Sequence, residues 1–346
     1  MKAKPSTAKH LMNLLSLPVR KRPKVGASPH DVVHQEQQWS LLRYRARPQG
    51  LAFKTPILLV PSLINRHYVL DLMPGKSFVE FLRDRGHDVF ILDWGRPRPQ
   101  DKHQTFDQLC GSALGRAIRR SASCAGSRKV HLLGYCLGAT FTTIHACVYP
   151  EHIASMVALA PPISFSDDGL LATWMRLDSL KVDKVLSAFG NMPWPLMQLA
   201  FHSLRPTLNL TKLVGVLDMA GDDAFLDGFL AIETWGNDNV SFPGACFARY
   251  IRDLYQNNAL VEGRFMLDGR AALLSNIRCP LLSVTFKHDT IVPYESSAPL
   301  VEMASSEDKT QWDLDGGHVG AVVSRKASTK LWPALAEWWE ARDSVS

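Results

Sequence analysis

Three residues far apart in the chain, Cys136, Asp289 and His318, could together perform nucleophilic catalysis. Cys136 stands between Gly134 and Gly138, a spacing that lets a strand turn sharply into a helix and holds the intervening residue strained and exposed. At a helix N-terminus, unpaired N–H groups and the macrodipole favour the thiolate form of a cysteine. The alternative is a buried cysteine that packs as a small hydrophobic side chain. The strand–turn–helix context favours the nucleophile.

A nucleophilic thiol needs a general base, and the base needs a carboxylate that orients it. Asp289 directly follows the predicted strand Pro280–Phe286, and His318 follows the predicted edge strand Lys309–Leu314 in a glycine-containing loop. We therefore assign Asp289 as the acid and His318 as the base, with a turn aspartate and an exposed loop histidine as the alternatives. His288 competes for the role of base, but it would share a loop with the acid rather than face it.

The chain order nucleophile, acid, histidine and the Gly-x-Cys-x-Gly spacing resemble the α/β hydrolases, with cysteine where serine is usual. The resemblance implies that the N–H of Leu137, directly after the nucleophile, is one oxyanion-hole donor. The second donor would come from the loop Ser62–Tyr68, which follows the apolar run Thr55–Pro61, and Ile64 or Asn65 is the candidate. Ordinary turn chemistry is the alternative for this loop.

Apolar runs alternate with helical patterns and predict the sheet that would position these residues. The runs typical of strands buried on both faces are Thr55–Pro61, Asp88–Asp93, Ser155–Ala160 and Pro280–Phe286. Helical patterns cover Lys76–Arg85, Thr105–Arg120 and Ser328–Arg342. The alternation predicts an α/β-hydrolase fold with a mostly parallel, doubly wound sheet. Ligands of such sheets bind beyond the carboxyl ends of strands, where Ser62, Asp93 and Cys136 would lie.

The pattern changes between residues 166 and 269, where helical segments follow one another without an intervening strand. These segments are Leu170–Asp178, Pro195–His202, Asp223–Glu233 and Gly244–Gln256. We interpret residues 166–269 as a helical cap inserted into a core of residues 31–165 and 270–346, where it would cover the pocket. Trp174, Trp194 and Trp235 are interpreted as core residues of the cap, although one or two could line a substrate channel.

Positive charge is concentrated at the N-terminus. The net charge is +6, and the first thirty residues hold seven cations and no acid, so the remainder is close to neutral. This distribution predicts a basic, flexible arm over residues 1–30, which could contact an anionic surface or a partner, or could be a solvated leader. Because no nucleic-acid-binding motif accompanies the arm, we expect no nucleic-acid function.

The composition is typical of a soluble, intracellular protein. The 346 residues are 46% hydrophobic, and the six cysteines are scattered without a CxxC pair, which favours a reducing compartment. No apolar run approaches the roughly 20 residues that span a bilayer, so we expect a cytoplasmic protein without a transmembrane segment. His30 and His34 could bind a metal if they lay on a helix. With no third ligand nearby, we expect neither a metal nor a cofactor.

Five segments resemble the catalytic subunit of polyhydroxyalkanoate synthases, closest to the class III type that works with a second, non-catalytic subunit. They are Gly134–Gly138, Asn65–Leu72, Val89–Gly95, Asp289–Pro293 and Gly316–Gly320. The similarity covers nearly everything from Val25 onward. The family's Cys-Asp-His triad falls on Cys136, Asp289 and His318, in agreement with the assignment from residue chemistry.

The resemblance implies acyl transfer from (R)-3-hydroxyacyl-CoA, through a thioester on Cys136, to the hydroxyl end of a growing polyester chain, with release of coenzyme A. It also implies a homodimer, a second subunit and association with the surface of polyester granules. The chain departs from the family at Ala139 and Thr290, where members often have glycine and histidine, and neither position belongs to the triad. Two alternatives remain: a thiol-dependent hydrolase or depolymerase that transfers the acyl group to water, and a non-catalytic granule-associated protein.

Overall fold

An eight-stranded sheet forms the centre of the computed structural model, which describes residues 7–177, 180–204 and 208–343. The strands are β1 His30–Glu36, β2 Trp39–Tyr44, β3 Ile57–Val60, β4 Val89–Asp93, β5 Val130–Tyr135, β6 Ile153–Leu159, β7 Leu281–Phe286 and β8 Lys309–Leu314. Their order across the sheet is β1-β2-β4-β3-β5-β6-β7-β8. β2 runs antiparallel to β1 and β4, whereas β3 to β8 pair in parallel.

Helices cover both faces of this sheet and fill the insertion. They are α1 Thr7–Ser16, α2 Phe78–Arg85, α3 Leu114–Cys124, α4 Leu137–Val148, α5 Leu170–Arg176, α6 Val182–Phe189, α7 Trp194–Ser203, α8 Leu208–Met219, α9 Asp223–Gly236, α10 Gly244–Arg249, α11 Tyr294–Ser297, α12 Pro299–Met303, α13 Gly320–Val323 and α14 Trp332–Glu340. Three π-helical turns, Asp107–Ala113, Tyr250–Gln256 and Ala327–Leu331, adjoin α3, α10 and α14. α2 ends at Arg85, as the pattern Lys76–Arg85 predicted, and Gly86 caps it with a φ of 101° that suits glycine.

The core has two layers because successive side chains of a strand point to opposite faces of the sheet. Leu58 and Val60 of β3 pack on the face that holds α3 and α4. Ile57 and Leu59 pack on the other face, with α2 and α14. All twelve residues of α4 are buried. Both faces of the parallel strands are therefore covered, which explains their uninterrupted apolar sequences.

The insertion of residues 166–269 is helical, with α5 to α10 inside it. Two helices, α6 and α8, were not predicted, and Asp178, the predicted end of α5, lies outside the described residues. A short antiparallel hairpin pairs Met266–Leu267 with Arg270–Ala271. The expectation of a cap without strands was therefore wrong at its C-terminal boundary, since two-residue strands leave no periodic pattern to detect.

The N-terminal segment contacts the cap. Lys9 forms an ion pair with Asp223 at 2.8 Å, and Arg20 forms one with Asp227 at 2.9 Å. The side-chain amide of Asn13 donates to the Ala220 carbonyl at 2.8 Å. From Thr7 onward the structure thus differs from the predicted flexible arm: α1 is helical, and cations of this segment pair with acids that lie some two hundred residues away.

Two further expectations concern membranes and metals. No helix in the described part of the chain is long and apolar enough to cross a bilayer. His30 and His34 lie on strand β1, so the helical arrangement considered for a metal site was wrong. Over the same described ranges, His, Cys, Asp and Glu side chains form no group of three or more that could hold a metal ion.

Candidate active site

Cys136 occupies a sharp turn between β5 and α4. Its backbone has φ 55° and ψ −126°, a conformation that residues with a Cβ rarely adopt. Its N–H donates to the Leu159 carbonyl at 2.9 Å, which fixes the turn on β6. The flanking glycines are sterically required: a Cβ on Gly134 would lie 2.4 Å from the backbone of α4, and one on Gly138 would lie 2.1 Å from the Val60 carbonyl oxygen.

The structure brings Cys136, Asp289 and His318 together from three separate loops. His318 Nδ1 donates to Asp289 Oδ2 at 2.6 Å, a distance typical of a charge-assisted hydrogen bond. The other carboxylate oxygen accepts the N–H groups of Ile291 and Val292, each at 2.9 Å, so Asp289 also organises its own turn. Cys136 lines the same cavity as His318 and acts electrostatically on the imidazole.

The surroundings of His318 favour its protonated form. Burial lowers the pKa of the imidazole, but Cys136 and Asp289 outweigh burial and raise this pKa to about 10. At neutral pH these surroundings therefore favour the imidazolium form of His318, next to the sulfur that it would activate.

Tyr135 supports the loop that carries His318. Its hydroxyl donates to the His318 carbonyl at 3.2 Å, and the two rings stack with centroids 5.4 Å apart. The sequence reading missed this contact, although the place of Tyr135 directly before the nucleophile could have suggested it. His288, the competing base, lines the same cavity, but the hydrogen bond to Asp289 is made by His318.

The loop after β3 lines the cavity with Ile64 and Asn65, the two candidates for the second oxyanion donor. The Asn65 N–H is directed at the Ser62 carbonyl at 3.4 Å. Ile64 N–H, by contrast, donates to no backbone carbonyl within the described residues. Leu137 is the first residue of α4, where a helix provides no acceptor for the N–H. Ile64 and Leu137 are thus the pair available to an oxyanion, and this role stays a prediction.

Asp93, at the carboxyl end of β4, contacts the same loop from the sheet. His67 Nδ1 lies 3.1 Å from one carboxylate oxygen, and Arg66 Nη2 lies 3.4 Å from the other. Burial raises the pKa of Asp93, but His67, Arg66 and the Gly95 N–H outweigh burial and lower it to about 2. The carboxylate therefore stays charged and positions the residues that follow Asn65.

A cavity of about 550 Å³ opens above Cys136 and His318. The cap supplies apolar lining from Phe201, Leu204 and Ile232. It also supplies an ion pair between Lys212 and Glu233, with 2.6 Å between the charged atoms. The site can therefore hold an acyl chain against apolar walls, with the thiol at its base.

The cap tryptophans take different places. Trp235 is buried and lines the cavity, as expected for one or two of the three. Trp174 is half-buried. Trp194 is 38% exposed, so its assignment to the cap core was wrong, because a helical pattern alone does not show which face meets solvent.

Solved structures with the same architecture include lipases. A soluble variant of monoglyceride lipase from Saccharomyces cerevisiae aligns with a TM-score of 0.57 at 13% identity, covering 95% of this chain and 99% of that one. A monoacylglycerol lipase from Paleococcus ferrophilus aligns with a TM-score of 0.55 at 18% identity, covering 88% and 100%. At these identities the likeness shows the fold alone, and the predicted α/β-hydrolase architecture is confirmed.

Sequence comparison identifies the family. A model of the alpha/beta hydrolase fold matches residues 55–322, and one of the poly-beta-hydroxybutyrate polymerase (PhaC) N-terminus matches residues 22–82. The poly(3-hydroxyalkanoate) polymerase subunit PhaC of Allochromatium vinosum is 33% identical, covering 92% of this chain and 90% of that protein. The protein so named from Haloferax mediterranei is 32% identical, covering 93% and 65%. The chain belongs to the α/β-hydrolase fold and, within it, to the PhaC family of poly(3-hydroxyalkanoate) polymerase subunits, as its sequence resemblance predicted.

Proposed function

We propose that this chain polymerises (R)-3-hydroxyacyl-CoA into a polyester and carries the acyl group as a thioester on Cys136. The observation that carries the proposal is the convergence of Asp289, His318 and Cys136 at the base of the cavity, with 2.6 Å between the carboxylate and the imidazole. The names of the relatives support the substrate class. The proposed chemistry needs no cofactor.

In the first half-reaction, the Cys136 thiolate attacks the carbonyl carbon of the substrate thioester. A new sulfur–carbon bond forms, and the negative charge that develops on oxygen is stabilised by the N–H groups of Leu137 and Ile64. When the intermediate collapses, the bond to the coenzyme A sulfur breaks. His318 donates its proton to that sulfur, so coenzyme A leaves as a thiol, while Asp289 orients the imidazole.

In the second half-reaction, neutral His318 accepts the proton of a chain-end hydroxyl, whose oxygen attacks the acyl-enzyme. An oxygen–carbon bond forms, the bond to the Cys136 sulfur breaks, and the thiolate and imidazolium are restored. Cysteine suits this sequence because exchange of one thioester for another keeps the acyl group activated until the downhill step to an ester. A serine nucleophile would reach the ester level one step early.

The assembly is part of the same proposal: a homodimer that works with a second, non-catalytic subunit at the surface of cytoplasmic polyester granules. The relatives are described as polymerase subunits, which supports a partner chain. The cap carries exposed apolar side chains, among them Phe189 at 60% and Leu199 at 64%, typical of surfaces that another molecule covers. Sedimentation of the pure chain tests the dimer, and a monomer at all concentrations would contradict it.

Coenzyme A release from (R)-3-hydroxybutyryl-CoA tests the reaction. We expect release and insoluble polyester from the wild type, and neither product from Cys136→Ala. Cys124→Ala is the control, because Cys124 is a partly exposed free cysteine that does not line the cavity. Equal release by the wild type and Cys136→Ala would remove Cys136 as the nucleophile. Free 3-hydroxybutyrate in place of polyester would identify a hydrolase that transfers the acyl group to water.

A further inference from the structure

We propose that the cap sets the position of the oxyanion loop, residues 62–66, and that Asn239 is a positioning residue for acyl transfer. The cap side of this contact is the segment that ends α9 and follows it, residues 235–240, which we call the latch. The inference rests on the proposed function, because it concerns the oxyanion of the same reaction.

Backbone contacts join the loop to the latch. Asn65 and Asn239 pair as an isolated antiparallel β-bridge. The Val240 N–H donates to the Ile64 carbonyl at 3.3 Å, and Val240 itself is buried. Because peptide units are planar and only two soft torsions separate the carbonyl of a residue from its N–H, holding the Ile64 carbonyl restrains the Ile64 N–H as well.

The side chains of Asn65 and Asn239 also join the loop to the latch. The Asn65 amide donates to Asn239 Oδ1 at 2.8 Å. The Asn239 amide in turn donates to the Gly236 carbonyl at 2.8 Å, at the end of α9. The Asn239 side chain therefore uses its acceptor on the loop and its donor on the cap, so that a shift of α9 is transmitted directly to Asn65.

Two more hydrogen bonds flank the bridge. Trp235 Nε1 donates to the Arg66 carbonyl at 2.9 Å, and the Tyr68 hydroxyl donates to Asp238 Oδ2 at 2.6 Å. The contacts of the same stretch with Asp93 on the sheet are longer, at 3.1 and 3.4 Å. The loop is thus held by the cap as well as by the sheet.

The two oxyanion donors therefore differ in what holds them. Leu137 belongs to α4, which is buried along its whole length in the core. The position of Ile64 depends on its hydrogen bond with Val240 of the cap. Cys136, Asp289 and His318 lie on loops that follow β5, β7 and β8, and none of them hydrogen-bonds with the latch in the structure as described, so a disturbed latch should weaken oxyanion stabilisation while the reactivity of the sulfur is kept. Reactions that need an oxyanion hole and reactions that need only a thiolate will separate the two.

Asn239→Ala and Asn65→Ala remove the side-chain contact from either side. We expect kcat for coenzyme A release from (R)-3-hydroxybutyryl-CoA to fall about tenfold with KM unchanged, since a small misplacement of one donor forfeits part of its effect. The double variant should match the single variants, because each removes the same interaction. Alkylation of Cys136 by iodoacetamide, followed by peptide mass spectrometry, should keep the wild-type rate.

Asn237→Ala is the matched control: its amide donates to the Glu233 carbonyl within α9 at 2.7 Å rather than to the loop, so kcat should not change. Unchanged kcat in both single variants would overturn the inference. Equal falls in acyl transfer and alkylation would overturn it too, because they would place the damage at the sulfur. If Asn239→Ala does not fold, Asn65→Ala decides. Failure of the proposed function looks different, since the wild type itself would then release no coenzyme A.

Discussion

Two buried histidines at opposite ends of the sheet have pKa values shifted in opposite directions. His318, beyond the carboxyl ends, donates to Asp289 at 2.6 Å, and its pKa is raised to about 10. His131, near the amino end of β5, hydrogen-bonds with Ser155 Oγ at 2.8 Å. Its Nε2 lies 4.0 Å from an Asp343 carboxylate oxygen, and burial lowers its pKa to about 4.

The comparison teaches that burial alone makes a histidine a neutral structural group. His87 and His145 are buried as well, and burial lowers the pKa of each to about 4. At His318 the same desolvation acts, but a directly bonded carboxylate and the sulfur of Cys136 reverse its effect. The proposed catalytic base is therefore distinguished by which loops converge on it at the carboxyl ends of the strands.

The largest expected effect on turnover is that of replacing His318, and the same substitution at His131 is its comparison. His318→Asn should lower kcat for coenzyme A release by roughly 10⁴-fold, because both proton transfers pass through this imidazole. His131→Asn should keep near-wild-type turnover, since an amide can still hydrogen-bond with Ser155. A comparable loss of turnover in both variants would contradict the assignment of His318 as the base and of His131 as a structural residue.

Asp289→Asn should shift the pKa of His318 downwards, in the direction of the lowered pKa of His131. The amide keeps an acceptor for the N–H groups of Ile291 and Val292, so the turn should survive. We expect kcat to fall roughly 10³–10⁴-fold, because the imidazolium loses the charge that orients and stabilises it. NMR titration should show the His318 pKa below about 10 in this variant and in Cys136→Ala, since both groups raise it. Titration near that value in both variants would contradict the assigned cause.

The two ends should also differ in how pH affects stability. The lowered pKa of His87 means that the unfolded chain binds the extra proton first, so stability is lost as the pH falls from about 6.5 towards about 4. The raised pKa of His318 acts in the other direction: its contribution is complete below about pH 6.5 and is lost as the pH rises through about 10. Urea unfolding across this pH range measures the free energy of unfolding and so both losses of stability, the one towards low pH (the acid limb) and the one towards high pH.

His87→Phe isolates the acid limb. The ring of His87 stacks on Phe53 at 4.3 Å, and its Nε2 lies 3.4 Å from a Glu340 carboxylate oxygen without forming a hydrogen bond in the described structure. Phenylalanine therefore keeps the stacking and removes the titration. We expect the stability loss between pH 6.5 and 4.5 to shrink by roughly 2 kcal/mol. An unchanged acid limb would show that His87 does not control it.

The smallest expected effect is that of replacing Asp343. This carboxylate faces the imidazole of His131, as Asp289 faces that of His318, but at 4.0 Å rather than 2.6 Å. Asp343 accepts the backbone N–H groups of Lys54 and Thr55 at 3.0 and 2.9 Å. Asp343→Asn keeps one acceptor and should cost about 1 kcal/mol of unfolding free energy with turnover unchanged. A change in kcat would show that the two ends of the sheet are coupled.

The positions of the elbow and of the loops that carry Asp289 and His318 could be predicted from the sequence because their signals are local: glycine spacing around Cys136, and loops that directly follow apolar runs. The latch could not, since Asn65 and Asn239 are 174 residues apart and no sequence signal links the two positions. The predicted helix Thr105–Arg120 also begins as a π-helical turn, Asp107–Ala113, whose period differs from the one that the pattern assumes. Long-range contacts and irregular helices are therefore what the sequence reading missed.

Gly138 limits where this protein could be redesigned for larger monomers. With only a hydrogen as side chain, it lets the first turn of α4 rest on the last peptides of β3, where any Cβ would lie 2.1 Å from the Val60 carbonyl oxygen. Pro61 and Cys136, on either side of this contact, line the pocket, so the pocket floor cannot widen by a shift of α4 relative to β3. Room for a bulkier acyl group has to come from the roof, where Phe201, Leu204 and Ile232 can be trimmed without touching that contact.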